Sequence, residues 1–239
     1  MLRLVRVLYW VLWGWWHVRP SGPFAALPAA AQAQAIERWA KQMLRHMGIG
    51  VEVQGEPASG PVLMAANHVS WLDILVMHAA RHCRFVAKSE IRSWPLVGVL
   101  TTAGQSLYIE RASSRDALRV VHHMHQALLA GDVLGVFPEA STGDGVTLLP
   151  FHGNLLQAAI SAHVPIQPVA LRFVEAHSGL PSFAPCYLAD DTLVGSLWRT
   201  LSAPPLKVCV RYGAVQMADG RSRREWAHDL HDTIKNLLK

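Results

Sequence analysis

Ala65-Ala66-Asn67-His68-Val69-Ser70-Trp71-Leu72-Asp73 is the stretch on which the reading of the fold turns. Before it runs Gly60-Pro61-Val62-Leu63-Met64, an apolar segment of strand length, and after it Ile74 to Ala80, which continues best as a helix. The junction therefore reads strand, turn, helix. Asn67 supplies turn chemistry and Ser70 stands at the N-cap position. Ser70 and Asp73 stand in the S-x-x-D relation of a capping box, which puts Asp73 in the first turn, reaching back toward the cap.

Five residues along a helix rotate by roughly 140°, so His68 and Asp73 cannot share a face if both are helical. With His68 just outside the helix, the carboxylate can turn back onto the imidazole. An aspartate that accepts a hydrogen bond from one ring nitrogen leaves the other as a proton acceptor and stabilises the imidazolium once formed. The pair is a candidate general base for a hydroxyl substrate. The plain alternative is a capped helix beside an ordinary histidine, in a chain that holds 13 of them.

The rest of the chain frames that junction. Its 239 residues suffice for one substantial core. Hydrophobic residues make up 51% and charged residues only 16%, and the mean hydropathy is +0.19. No plainly apolar, uncharged run reaches the length of about 18 residues that a membrane span needs. A net charge of +5 and a pI near 9.4 suit an anionic partner. The basic residues are scattered and form no nucleic-acid-binding module, so a lipid surface is the expected partner rather than nucleic acid. Cys83, Cys186 and Cys209 form no C-x-x-C and are odd in number, which argues against a disulfide framework or zinc site and for a reducing compartment.

Residues 1–18 carry Trp10, Trp13, Trp15 and Trp16 with Arg3 and Arg6. Such rings prefer the headgroup boundary of a bilayer, and the arginines can snorkel to phosphates. The segment reads as an interfacial anchor helix. A signal peptide with an Ala-x-Ala site near residues 29–35, or a buried helix of the main fold, are the competing readings. Arg19 to Pro23 breaks the helix, and residues 27–48 form an amphipathic second one that ends near Gly48. Residues 1–48 are thus expected to be a membrane-anchoring helical hairpin, followed by a catalytic domain over residues 49–239.

Beyond the His68 helix, strands are expected at 84–88, 105–111, 133–137, 164–171 and 206–212. Residues 89–99, with Trp94-Pro95 and Gly98, read as a broken helical or irregular segment. Helices are expected at 115–130, from the Pro150–Gly153 lead-in through 162, at 193–201, and from a Ser222–Glu225 capping box to Lys239. Pro165 and Pro168 argue that the strand at 164–171 lies away from the sheet centre at that end. His122 and His125 on one helix, and His78 and His82 on another, have metal-pair spacing, but no carboxylate or cysteine is placed to complete a site. The expected fold is α/β: a mostly parallel mixed sheet flanked by helices, preceded by the hairpin. In such sheets ligands bind beyond the carboxyl ends of the strands. His68, Lys88, Arg111 and Glu139 all follow directly on strand ends, which points to a single site.

Four segments, in order over roughly residues 60–172, resemble the glycerolipid acyltransferase family, which includes the 1-acyl-glycerol-3-phosphate acyltransferases. Asn67 to Asp73 resembles its His-x4-Asp block and Ser106 to Arg111 its second block. Phe137-Pro138-Glu139-Ala140-Ser141-Thr142 resembles its Phe-Pro-Glu-Gly-Thr-Arg block, and Val164 to Val169 its final proline-bearing block. The resemblance implies acyl transfer from acyl-CoA or acyl carrier protein to a lysophospholipid hydroxyl, as in phospholipid biosynthesis, with no metal and no further cofactor. His68 is then the general base, oriented by Asp73. Arg111 with Lys88 holds the acceptor phosphate, and Glu139 orders the glycerol or the surrounding loop. Ser141 and Thr142 complete the expected substrate-binding set. Together with the anchor helix this implies the cytoplasmic face of the inner membrane.

The third block departs from the pattern, because Gly-Thr-Arg is replaced by Ala140-Ser141-Thr142. A candidate phosphate ligand is lost, and Ala in place of Gly restricts the loop. The acceptor is therefore either 1-acyl-sn-glycerol-3-phosphate or another lysolipid such as a lyso-ornithine lipid. From other classes, a lipid hydrolase shares the His–Asp pair, but the chain has no G-x-S-x-G elbow. A non-catalytic membrane-binding protein has no use for an intact His68–Asp73 pair.

Overall fold

The computed structural model describes residues 2–19, 21–94, 97–109, 114–188 and 190–239. In chain order the elements are α1 (Leu2–Val18), α2 (Ala29–Met47), β1 (Ile49–Gln54), β2 (Val62–Ala66), α3 (Leu72–Ala80), β3 (Arg84–Lys88) and α4 (Val97–Ala103). They continue with β4 (Leu107–Ile109), α5 (Ser114–Leu129), β5 (Val133–Val136), α6 (Gln157–Ala162), β6 (Ile166–Glu175), α7 (Leu193–Ser202), β7 (Leu206–Tyr212) and α8 (Arg223–Leu237). Among the described residues seven strands form one sheet in the order β1-β7-β6-β2-β5-β3-β4. Every pair is parallel except β6 with β7. The expected α/β fold with a mostly parallel mixed sheet is what the chain adopts.

Strands buried on both faces need apolar residues throughout rather than alternation, and β2 meets that demand with five buried residues, Val62 to Ala66. Val62, Met64 and Ala66 face a core shared with α2 and α3, while Leu63 and Ala65 face a second core shared with α5, α6 and α8. The sheet is therefore sandwiched between two helical layers. The registers Ala65↔Val136 and Phe85↔Gly135 bring the carboxyl ends of β2, β5 and β3 to one level, where the loops after them converge.

The N-terminal hairpin is latched by a reciprocal pair of bonds. Trp10 Nε1 donates to the Trp39 carbonyl (3.1 Å) and Trp39 Nε1 to the Trp10 carbonyl (3.3 Å). Gly14 makes room for this, since a Cβ there would lie 2.5 Å from Trp39 Nε1. One side of the hairpin joins the core through Val7, Met43, Leu44 and Met47, while Leu2, Tyr9, Leu12 and Trp16 of α1 stay exposed. Among the described residues no helix is long and apolar enough to cross a membrane. The α2 helix ends, as its sequence implies, at Gly48 with φ +82°.

Two expectations need correction. The first concerns β6, which lies inside the sheet between β7 and β2 despite its prolines. Pro168 pairs with Ala65 on one side and its carbonyl accepts Gly213 N–H (2.9 Å) on the other. The donor that proline lacks is supplied by its neighbour: Gln167 Nε2 donates to the Gly213 carbonyl at 3.1 Å. Second, the helix expected after Gly153 begins only at Gln157, after turns at residues 153–156. The segment read as broken helical or irregular holds a 3-10 turn, Ser89–Ser93, followed by the helix α4. The Ser222–Glu225 capping box forms with both of its bonds.

Candidate active site

The loop between β2 and α3 is pinned at nearly every polar atom. Asn67, buried at the end of β2, uses both ends of its amide on the backbone of β6: Oδ1 accepts Leu171 N–H (2.8 Å) and Nδ2 donates to the Leu171 carbonyl (3.0 Å). Asp73 is fully buried, and its Oδ2 accepts three hydrogen bonds, from His68 Nδ1 (2.8 Å), Val69 N–H (2.6 Å) and Ser70 N–H (2.8 Å). Only half of the expected capping box is present. Asp73 does reach back to the Ser70 backbone, but the Ser70 hydroxyl accepts from Leu72 N–H (3.3 Å), and α3 begins after Trp71 with no side-chain cap. The carboxylate is thereby freed to serve the imidazole as well as the helix end.

An oxygen that accepts from two backbone N–H groups carries no proton of its own, so the proton between the two side chains sits on His68 Nδ1. Nε2 is left with its lone pair, the tautomer a general base needs. The imidazole lies flat on Phe137, with centroids 4.0 Å apart and planes within 9°, and Phe137 stacks in turn on Phe85. The side chain is 20% exposed, so ring plane and tautomer are fixed while one edge remains reachable.

Glu139 acts on the same loop from below. Its Oε1 accepts His68 N–H (2.7 Å) and its Oε2 accepts Leu149 N–H (2.8 Å). Burial pushes this carboxyl above its ordinary range, partly offset by those two backbone N–H groups. Of the two roles expected for Glu139, its contacts fit the ordering of the loop, since both oxygens are taken by main chain. Gly143 N–H donates to the His68 carbonyl (2.8 Å), closing a second link between the two loops.

The other expected residues divide. Lys88 is the last residue of β3, but its side chain, like the whole of Arg111, lies outside the described residues. Ser141 is exposed. Thr142 turns its hydroxyl onto the Tyr187 carbonyl. Ala140 adopts φ +57°, the left-handed region that a glycine occupies without cost. The restriction expected from Ala in this block is thus a backbone fact.

The His68 ring borders a cavity of about 1130 Å³. Its walls are apolar and come from far apart in the chain: Val7 and Val11 of α1, Trp39 of α2, Ile74 of α3, Leu100 of α4 and Leu197 of α7. His152 and Asn154 also reach it near Ala140, with no side-chain partner among the described residues. Neither they nor Tyr187 carry any local signal, because only tertiary contact brings them there. Phe137 was legible only as a strand end. At the dry end His78 is 7% exposed, edge-on to Phe85 and 3.1 Å from His82 between their Nδ1 atoms. Burial, with His82 adding to it, pushes His78 down to about 3.

A tautomer-fixed histidine at the carboxyl ends of a parallel sheet, opening on a long apolar cavity, defines an acid–base enzyme for a substrate with an apolar tail. Comparison with known proteins narrows this class. Residues 50–172 match the Acyltransferase family. The chain is 35% identical over 240 residues to a 1-acyl-sn-glycerol-3-phosphate acyltransferase of Neisseria meningitidis, covering 99% of this chain and 91% of the relative. It is 31% identical over 243 residues to a lyso-ornithine lipid O-acyltransferase of Pseudomonas aeruginosa, covering 100% and 93%. The crystal structure of the 1-acyl-sn-glycerophosphate acyltransferase PlsC from Thermotoga maritima shares the fold, with a TM-score of 0.68 at 20% identity over 99% of this chain and 96% of that one. The chain belongs to the Acyltransferase family and is an acyltransferase of lipid metabolism.

Proposed function

We propose that the protein moves a fatty acyl group from acyl-CoA or acyl carrier protein to the free hydroxyl of 1-acyl-sn-glycerol-3-phosphate, giving phosphatidate. The observation that carries this is the 2.8 Å bond from His68 Nδ1 to buried Asp73 at the edge of the apolar cavity. His68 Nε2 takes the hydroxyl proton as the oxygen attacks the thioester carbonyl, and the tetrahedral species collapses by expelling the thiolate. The imidazolium returns the proton to the sulfur, so no acyl-enzyme and no cofactor beyond the acyl carrier is required. Asp73 stabilises the imidazolium. The cavity takes an acyl chain, and holding both substrates against the dyad supplies much of the rate. Arg111, after β4, and Lys88, at the end of β3, bind the phosphate; Glu139, Ser141 and Thr142 shape the loop beside it.

Residues 1–48 serve as the membrane-anchoring hairpin of the domain formed by 49–239, on the cytoplasmic face of the inner membrane. The exposed apolar stripe of α1 supports this. A second acceptor, lyso-ornithine lipid, is favoured by a specific observation: the Thr142 position, where the family has arginine, offers only a hydroxyl already bonded to Tyr187. Hydrolysis through a serine triad finds no support, because among the described residues no serine hydroxyl bonds the His68 ring. The test is product identification after incubation with a long-chain acyl-CoA and each lysolipid in turn. Phosphatidate from lysophosphatidate is the expected product; ornithine lipid alone would transfer the assignment to the second acceptor, and free fatty acid alone would overturn both.

A further inference from the structure

The 176–205 excursion between β6 and β7 carries apolar side chains that the site does not use. On α7, Val194 is 76% exposed and Trp198 56%, and a spacing of four puts them on one stripe. The opposite side of the same helix is packed, with Ser196 and Thr200 buried, and Leu197 on its flank lies against the core. We propose that the outer stripe of α7 is a second bilayer-docking element beside α1, so that two helices flanking the cavity seat the enzyme on an anionic lipid surface. This rests on the reading of the protein as a membrane-associated lysolipid acyltransferase.

Three observations carry it. The two helices are tied together, because Arg3 in the first turn of α1 donates to the Leu201 and Ala203 carbonyls at the end of α7 (3.3 and 2.7 Å). Both helices wall the same cavity, α1 with Val7 and Val11 and α7 with Leu193 and Leu197, and Leu193 is itself 41% exposed. A lipid tail leaving the cavity between them therefore meets apolar surface on both sides. Finally, neither helix contains an aspartate or glutamate, Arg199 is neutralised by Asp191, and Arg6 is exposed without a partner among the described residues. Seating the two helices on anionic headgroups thus brings no carboxylate of either helix against them and gives Arg6 a counter-charge. The same excursion is bonded to the dyad loop, where Tyr187 N–H donates to the Val69 carbonyl (3.0 Å), so the lipid surface is held at a fixed level relative to His68.

The test uses full-length protein with one added cysteine, Val194→Cys or, separately, Leu12→Cys, carrying an environment-sensitive fluorophore. The native Cys83, Cys186 and Cys209 are buried, and burial pushes Cys186 up to about 11, which keeps them unreactive. On adding vesicles of phosphatidylcholine with phosphatidylglycerol, both labels should shift to the blue. Val194→Glu with Trp198→Glu should lower vesicle affinity roughly tenfold by putting charge where apolar area was buried, with unchanged melting and unchanged turnover in detergent micelles. A response at position 12 but not 194 would leave α1 as the docking element and overturn the proposal alone. No response at either position would remove the membrane reading along with it. A shift at 194 that follows protein concentration without vesicles, with a doubled mass on sedimentation, would assign the stripe to a second copy of the chain instead.

Discussion

The two sides of the active site are built in opposite ways. On the side of the base, Asn67, Asp73 and Glu139 are buried, Asp73 Oδ2 and the oxygens of the other two accept from backbone N–H groups of the dyad loop and its neighbours, and Phe137 fixes the ring plane. On the side proposed to take the acceptor, Ser141 is exposed, His152 and Asn154 reach the cavity without side-chain partners among the described residues, and Ala140 holds a conformation unfavourable for it. The difference teaches where chemistry and specificity are stored. The proposed general base needs one geometry, and the fold over-determines it. The side proposed to take the headgroup is built from surface side chains that make no hydrogen bond to the dyad. Relatives with the names of two different acceptors are what such an arrangement permits.

The contrast is sharpened first by Glu139→Gln. A carboxylate that accepts from two backbone N–H groups cannot be replaced by an amide without setting an NH₂ against one of them, a loss of about 1–3 kcal/mol in a buried site. Because the effect passes through His68, kcat should fall roughly tenfold to a hundredfold with little change in the acceptor KM. A raised KM with intact kcat would make Glu139 a substrate ligand instead. Arg111→Ala should do the reverse, raising the acceptor KM by about tenfold while leaving kcat largely in place. An unchanged KM would remove it from the phosphate site.

The dry packing of the base side also has a pH signature. His78 is held near 3, far below the ordinary histidine value of about 6.5, so the unfolded chain takes up a proton there that the folded chain refuses. Its contribution to stability is complete above pH 6.5 and is lost as pH falls toward 3, about 2 kcal/mol by pH 5. His78→Gln should flatten the fall in Tm between pH 7 and pH 5; an equal fall in both proteins would contradict this. The smallest effect belongs to the acceptor side. Ala140→Gly relieves a left-handed residue and should stabilise by about 1 kcal/mol, or roughly 2–4 °C in Tm. No gain would mean that the loop does not hold that conformation in solution.

What the sequence disclosed and what it withheld divide along the same line. The strand–turn–helix at His68, Gly48 at the end of α2 and the Ser222 capping box are local devices, readable because each depends on neighbours within a few residues. The central place of β6 was hidden because the donor missing from Pro168 comes from the Gln167 side chain, a substitution that no propensity encodes. Helix α4 was legible only as part of a broken helical or irregular segment, because Pro95 and Gly98 fall close to its start. The loop-bracing contacts of Glu139 and the cavity wall made by α1 depend on contacts across more than 60 residues of chain. The hairpin illustrates the consequence. Its Trp-rich composition suggests a detachable anchor, yet Val7 and Gly14 are buried in the fold, so its membrane role is better tested on exposed residues such as Leu12 than by deletion.

The most direct test of the account is thiol release from a long-chain acyl-CoA by the purified protein, with and without lysophosphatidate, beside His68→Ala. The account predicts release that requires the acceptor and falls by about 10³-fold in the variant, the scale of a lost general base. Release without any acceptor, or undiminished release by His68→Ala, would contradict it.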